Sequence, residues 1–228
     1  MKGSDEVVEW LTDGARPALD TREVAAELCD RLLGCGIPVW RFGLFVLTLH
    51  PQIMGQAFLW KPGVGVEVTS TSFETFETEA FRQSPVRRVI DTRASLRRKL
   101  GEENCPIDFE VTHELKTRGA TDFLAVPLFF ASSGVHGATF ATQQPGGFTD
   151  AQIAAIQSVV APLARVAENR LLERKRPARY LRRQQRRTAL SGRTNQAWRH
   201  FYDPRGDLVV GYARIYTPCR SPTAADAG

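Results

Sequence analysis

The chain has 228 residues, of which 43% are hydrophobic and 24% charged, an ordinary composition for a globular protein. No stretch approaches the roughly 18 apolar residues of a membrane-spanning helix, and the acidic N-terminus lacks the apolar core of a secretory signal. Its four cysteines form no CxxC pair, so neither a zinc site nor a disulfide framework is indicated. We expect a cytoplasmic protein with no membrane association and no metal site.

The charge is divided unequally between two parts of the chain. Residues 1–173 hold 17 Lys or Arg and 22 Asp or Glu, a net charge of −5, whereas residues 174–228 hold 13 and 3, a net charge of +10. Such a break is typical of a domain boundary, of a nucleic-acid-binding tail, or of a change in what the sequence encodes. We therefore predict a folded domain over 1–173 and a basic, disordered tail over 174–228.

The first half of the predicted domain reads as helices followed by strands. A short helix is predicted over 6–11, and Asp20 with Glu23 forms a capping box for a second helix that ends at Gly34. The branched and aromatic run 39–50 predicts a strand. Residues 57–60 and 64–69 predict two more strands, joined by a turn at Lys61-Pro62-Gly63.

The second half is predicted to contain helices, a hairpin and a long helix. Ser84-Pro85 is a typical helix start, and a further short helix is predicted over 107–116. The apolar run 122–130 predicts a central strand, although a proline within it indicates a bulge or an edge, and it pairs with 135–143 as a hairpin. Thr149 caps the last helix, with Gln152 at its third position.

Apolar residues recur along this last helix at spacings of three and four. They are Ile153, Ile156, Val160, Leu163, Ala167 and Leu171. Such a seam can pack on its own sheet or on a second copy of itself. The order of elements predicts an α+β fold, with a mostly antiparallel sheet flanked by helices.

Eight sequence blocks together resemble the N-terminal regulatory domain of a bacterial family of class III adenylate/guanylate cyclases. They are WLTDGAR (10–16), GIPVWR (36–41), TLHPQIMG (48–55), FLWKPG (58–63), FRQSPVRRV (81–89), CPIDFEV (105–111), TDFLAVPL (121–128) and PGGFTDAQIAAI (145–156). The resemblance implies a GAF-like sensor domain with a pocket for an unknown small-molecule ligand on one face of the sheet. It also implies homodimers paired through the C-terminal helix.

The resemblance ends near Arg174, where an Arg-rich sequence without apolar periodicity begins. Reading the tail one nucleotide out of frame permits SDMRGFT, which resembles the cyclase motif whose Asp binds a catalytic metal. That Asp would lie across Gly211 and Tyr212, and the chain as written lacks it. We therefore expect a frameshifted product of an adenylate cyclase gene, in which the sensor is followed by a non-native tail.

The resemblance also sets the expected chemistry. Class III cyclases convert ATP to cyclic AMP and diphosphate with divalent metal held by carboxylates. Those residues belong to the catalytic domain, so magnesium is expected there only. For this chain we expect no cofactor, no catalytic residue and no activity alone.

Five residues are candidates for lining the ligand pocket. They are His50, Trp60, Phe123, His136 and Phe140. His50 ends a predicted strand, where such a residue more often caps a turn, and the aromatic residues equally fit core packing. The basic cluster over 87–99 is either a solvated helix face or a contact for an anionic ligand.

A rival interpretation treats the tail as genuine. Its thirteen basic residues, interleaved with aromatic ones, have the composition of a nucleic-acid-binding segment that neutralises phosphates and stacks on bases. The chain would then be a small-ligand-binding GAF-like domain with a basic tail. Of the two interpretations we favour the frameshift, and we do not expect nucleic acid as a partner.

Overall fold

The computed structural model describes residues 2–47, 55–71, 78–131 and 134–189. Within them six strands form one antiparallel sheet in the order β3-β2-β1-β6-β5-β4. The strands are β1 (Arg41–Leu47), β2 (Gly55–Lys61), β3 (Gly65–Thr71), β4 (Leu96–Arg98), β5 (Asp122–Phe130) and β6 (Gly134–Thr142). The predicted α+β class and antiparallel sheet are confirmed.

Helices cover both faces of this sheet. They are α1 (Lys2–Thr12), α2 (Thr21–Gly34), α3 (Glu79–Arg82), α4 (Pro85–Thr92), α5 (Glu110–Thr117) and α6 (Asp150–Ala189). α1, α2 and α6 lie on one face, where they bury the larger apolar core with the strands. α4 and α5 lie on the other face over a smaller apolar cluster. We call these the closed face and the cavity face.

Local capping signals start the helices where the sequence predicts. The Asp20 carboxylate accepts a hydrogen bond from the Glu23 N–H at 3.0 Å, and the Ser84 hydroxyl accepts from the N–H three residues on at 3.1 Å. Thr149 and Gln152 form a reciprocal box, since each side chain accepts from the other residue's backbone N–H. Such caps satisfy N–H groups that the first helical turn leaves without partners.

β5 contains Pro127 although it is the second strand from one edge of the sheet and not the edge strand itself. The edge strand β4 pairs only with Phe123–Ala125 of β5. Pro127 lies beyond that pairing and is bordered on its other side by Gly137 of β6. A proline lacks the N–H that a strand pairs with. It is tolerated here because the neighbouring edge strand has already ended.

The predicted apolar seam of the last helix packs inside this chain. Ile156, Leu163 and Ala167 have no exposed surface, Leu171 is buried, and Ile153 and Val160 pack against the same core. Their helix contacts α1, α2 and β5. Of the two uses that the sequence left open, the structure shows packing on the chain's own sheet, and pairing with a second copy stays a prediction.

The long C-terminal helix continues past the predicted domain end at 173. α6 ends at Ala189, so the first part of the basic segment is helical rather than disordered, which corrects that expectation for residues 174–189. Arginine, a strong helix former, fills seven of the sixteen positions over 174–189, although the segment also contains Pro177, which disfavours a helix interior. The predicted disorder of the rest of the tail falls on residues 190–228, which lie outside the described residues.

Candidate functional site

A cavity of about 100 Å³ opens on the cavity face of the sheet. Its floor is formed by strands β1, β2, β5 and β6, and its cover by α3, α4 and α5. The lining side chains on the strands are Arg41, Phe45, Leu59, Phe123, Thr139 and Ala141. Those on and beside the helices are Ala80, Gln83, Ser84, Pro85, Val86, Asp108, Glu110, Val111 and Leu115.

The cavity exists because the two central strands carry small residues on this face. Gly43 of β1 lies opposite Thr139 of β6, and Arg41 lies opposite Ala141. A Cβ at Gly43 would come within 2.7 Å of both the Phe45 ring and the Thr139 hydroxyl oxygen. Glycine at this position therefore leaves room for the phenylalanine ring, and a larger residue would displace it into the cavity.

Arg41 is the cationic side chain of the strand floor. It is 9% exposed, and its Nη1 atom lies 3.6 Å from Glu114 Oε1. That separation exceeds hydrogen-bond distance. Among the described residues Arg41 Nη1 and both Glu114 carboxylate oxygens have no hydrogen-bond partner. Buried charged groups without hydrogen bonds are costly, so this pair marks a place where a ligand or water could complete the bonding.

Acidic residues lie at the helix side of the cavity. Asp108 pairs with Arg98, and hydrogen bonding from that guanidinium holds the pKa of Asp108 below its ordinary value. Glu110, at the start of α5, is exposed. The cavity thus combines an apolar wall, one buried cation at the floor and carboxylates towards the opening.

One of the five sequence-predicted candidates lines this cavity. Phe123 does so, whereas Trp60, His136 and Phe140 lie on the closed face and are buried in the larger core. His50 lies outside the described residues. The structure therefore does not bring the predicted set together at one site.

Sequence reasoning missed Arg41, Phe45, Leu59 and Thr139. Side chains alternate between the two faces of a strand, so a shift of one residue moves a prediction to the opposite face. Trp60 and Phe140 are each one position away from a cavity residue. A charged residue at the start of an otherwise apolar strand was the available signal for Arg41.

His136 has a structural environment in the closed core. Its side chain is fully buried, its Nδ1 accepts a hydrogen bond from the Leu47 N–H at 2.9 Å, and its ring centroid lies 4.0 Å from that of Phe130. Burial lowers its pKa from 6.5 to about 4, with the nearby Glu168 acting in the opposite direction. The imidazole is therefore neutral at pH 7 and acts as a hydrogen-bond acceptor.

Most of the basic cluster over 87–99 is engaged in ion pairs. Arg87 pairs with Asp91, Arg97 with Asp122, Arg98 with Asp108, and Lys99 with Glu102. This arrangement fits the solvated-face interpretation better than a concentrated anion site.

Among the residues that the structure describes, no group of three or more His, Cys, Asp or Glu side chains could hold a metal ion. In the same residues no helix is both long enough and apolar enough to cross a bilayer. The nucleic-acid interpretation of the tail rests on side chains after 173, which are outside the described set.

Comparison with solved structures identifies the fold. The chain is similar to the GAF domain of a two-component sensor histidine kinase from Bacillus halodurans, with a TM-score of 0.50 and 16% identity over 68% of this chain and 99% of that one. The chain has a GAF fold. This GAF domain is also similar to the phycoerythrobilin-bound GAF domain of a cyanobacterial phytochrome, with a TM-score of 0.52 and 12% identity over 76% and 98% of the two chains.

A phycocyanobilin-bound GAF domain of a cyanobacterial phytochrome matches comparably, with a TM-score of 0.50 and 12% identity over 75% and 96% of the two chains. No protein-family model matches the sequence, and no curated protein matches it. At these identities the similarity establishes the fold alone.

Proposed function

We propose that this chain is a small-molecule sensor domain of a signalling protein, with the ligand held in the cavity between the sheet and α3–α5. The observation that carries the proposal is the cavity with Arg41 buried in its floor, where the Nη1 atom has no hydrogen-bond partner among the described residues. Among the similar structures, one is the GAF domain of a sensor histidine kinase and two hold bilins.

A chain of contacts links the cavity to the long helix. Phe123 lines the cavity, and the neighbouring Asp122 accepts a hydrogen bond from the Phe148 N–H at 3.0 Å, just before α6 begins. Arg97 bonds both the Asp122 carboxylate and the Phe148 carbonyl, at 2.6 Å each. Gly147 permits this close approach, because a Cβ there would lie 2.7 Å from Asp122 Oδ2. In this proposal, a ligand against Phe123 biases the position of α6 through these bonds.

The sensor function is tested by a ligand screen on the full chain. A library of neutral, cationic and anionic small molecules is assayed by thermal shift against the wild type and Val111→Trp. Val111 is half-buried on α5, so the larger ring can fill the cavity from its edge. We expect at least one compound to stabilise the wild type and not the variant, whereas no such compound at any charge would contradict the proposal.

We further propose that the signalling protein is a class III adenylate cyclase, with this chain as its regulatory part after a frameshift. Support comes from the eight sequence blocks and from the cyclase-like text permitted by the shifted frame of the tail. The 228-residue chain is then expected to make no cyclic AMP from ATP. Resequencing the gene across codons 170–180 tests the frameshift, and ATP turnover by the purified chain above a mock preparation would contradict the predicted inactivity.

Homodimers through α6 are part of the same proposal. The seam is used within the chain, so pairing would have to use other positions of the helix, such as Leu172, whose surface is 41% exposed. Light scattering of the full chain and of Leu172→Glu tests this. A dimer weakened by the substitution is expected, and a monomeric wild type at all concentrations would contradict pairing.

A further inference from the structure

We infer that the cavity ligand is a small monocarboxylic acid with an apolar body, whose carboxylate binds the Arg41 guanidinium. This inference rests on the sensor function proposed above and specifies the chemistry of the ligand. It concerns residues of the cavity floor, to which the resemblance to cyclase sensors gives no role.

The Arg41 guanidinium has the donors that a carboxylate requires. A guanidinium carries five N–H donors in a planar fork that matches a carboxylate with two parallel hydrogen bonds. Arg41 is 9% exposed and lines the cavity, and its Nη1 is buried with no hydrogen-bond partner among the described residues. The buried Nη1 lies on the side of Glu114, so in this inference the bound oxyanion approaches the guanidinium of this lining residue from the cavity.

Glu114 does not neutralise the Arg41 cation by itself. Glu114 Oε1 lies 3.6 Å from Arg41 Nη1 and 3.2 Å from Arg118 Nη2, so one carboxylate is shared between two guanidinium groups. The three side chains together carry a net charge of +1. A ligand with a single negative charge would balance that excess.

The size and polarity of the cavity limit which acids it can bind. The cavity lining includes the apolar side chains Phe45, Leu59, Phe123 and Leu115. A cavity needs about 10–15 Å³ to hold one water molecule, so a cavity of about 100 Å³ has room for a considerably larger molecule. Aromatic or branched aliphatic acids of that size fit the cavity.

The carboxylates towards the opening favour one negative charge over two. Glu110 is exposed at the start of α5, and Asp108 stays ionised beside Arg98. A phosphate monoester carries nearly two negative charges at pH 7. The carboxylates of Glu110 and Asp108 would repel it, and among the described residues Arg41 would be the only cation of the cavity floor to attract it. A carboxylic acid meets less repulsion and also matches the planar guanidinium.

The test compares three probes of similar shape on the full-length protein. Calorimetric titration is carried out with phenylacetate, with the neutral isostere phenylacetamide and with phenyl phosphate, and 3-methylbutanoate serves as an aliphatic acid. We expect the acids to bind about tenfold to a hundredfold more tightly than the amide, the range given by a charge-assisted hydrogen bond. Equal binding of acid and amide, or tighter binding of phenyl phosphate, would overturn the inference.

Variants assign the effect to Arg41. Arg41→Met is expected to lower the affinity for phenylacetate by about tenfold or more. Arg41→Met combined with Glu114→Met also removes the carboxylate that the single variant leaves paired with Arg118 alone, which keeps the test valid where the single variant fails to fold. Arg88→Met is the matched control, since Arg88 is exposed on α4 and does not line the cavity. Retained affinity in the folded double variant would overturn the inference.

The inference and the proposed function fail in different ways. A neutral or cationic compound that stabilises the wild type but not Val111→Trp, with no acid doing so, overturns the carboxylate inference and leaves the sensor function standing. If no compound of any charge binds, both fall. Circular dichroism of each variant confirms that a lost titration signal comes from a folded chain.

Discussion

The two faces of one sheet serve different purposes in this molecule. On the closed face, Phe42, Phe58 and Phe140 are fully buried beneath α1, α2 and α6. On the cavity face, the same central strands present Gly43 and Thr139, and the space above them remains open beneath α3–α5. Large side chains on one face stabilise the fold, whereas small ones on the other leave a cavity.

The difference also concerns charge. The buried polar group His136 on the closed face accepts a backbone hydrogen bond and is neutral. Arg41 on the cavity face is a buried cation whose Nη1 lies 3.6 Å from Glu114 Oε1 and has no hydrogen-bond partner among the described residues. Interiors normally satisfy buried polar groups, and Arg41 Nη1 is an exception on the cavity face, although Thr21 Oγ1 of α2 on the closed face also has no hydrogen-bond partner among the described residues.

The largest expected effect is a difference in lost stability when an aromatic ring is truncated on each of the two faces. Phe140→Ala should lower the free energy of unfolding by about 4 kcal/mol, since the ring is fully buried in the larger core. Phe45→Ala, whose ring is half-buried beside the cavity, should cost about 1–2 kcal/mol. Urea unfolding measures both, and equal costs would contradict the distinction between a filled and an open face.

A somewhat smaller loss is expected at the junction of the sheet with α6. Asp122 is fully buried and accepts hydrogen bonds from Arg97 and from the Phe148 N–H. Asp122→Ala removes the carboxylate that accepts from both donors and should cost about 3 kcal/mol. Asp108→Ala breaks a more exposed ion pair and should cost under about 1 kcal/mol. The assignment of Asp122 as a buried anchor fails if the two costs are equal.

The closed face should also respond to pH through His136. Its folded-state pKa of about 4 lies below the ordinary 6.5, so the unfolded chain binds more protons between these values. Stability is therefore fully present above about pH 6.5 and falls with decreasing pH, by about 2 kcal/mol between pH 7 and pH 5.

His136→Asn supplies a neutral acceptor for the Leu47 N–H and serves as the control, because it removes the titrating group. Unfolding curves at both pH values should show the extra loss in the wild type alone. The same pH dependence in both proteins would contradict a buried, neutral imidazole.

The smallest effect concerns the helix caps on the two faces. Thr149→Ala at α6 and Ser84→Ala at α4 each remove one side-chain acceptor and should cost about 1 kcal/mol in unfolding free energy. Ser84 lines the cavity, so only its substitution should also alter ligand affinity. Thr149→Ser retains the cap and should behave as the wild type.

Local signals in the sequence predicted much of the fold. Ser84-Pro85 and the Thr149–Gln152 box set helix starts through contacts between residues three apart, which the sequence displays directly. Strand β5 was predicted with its observed ends at Asp122 and Phe130. Such features depend on near neighbours and need no knowledge of tertiary packing.

The site depended on information that the sequence pattern does not contain. Residues 58–60 are apolar at three successive positions, so alternation cannot tell that Trp60 faces the core and Leu59 the cavity. The apolar seam of α6 likewise fits its own sheet or a second chain equally well. Only the assembled sheet shows which face each helix covers.

The central claim is that a small molecule binds on the cavity face and not on the closed face. Amide chemical-shift mapping of the full chain during titration with phenylacetate tests it most directly. We predict saturable shifts at Arg41, Val111 and Thr139, with little change at Trp60 and His136. Shifts confined to the closed face, or none at any residue with this probe and with every compound of the screen, would contradict the account.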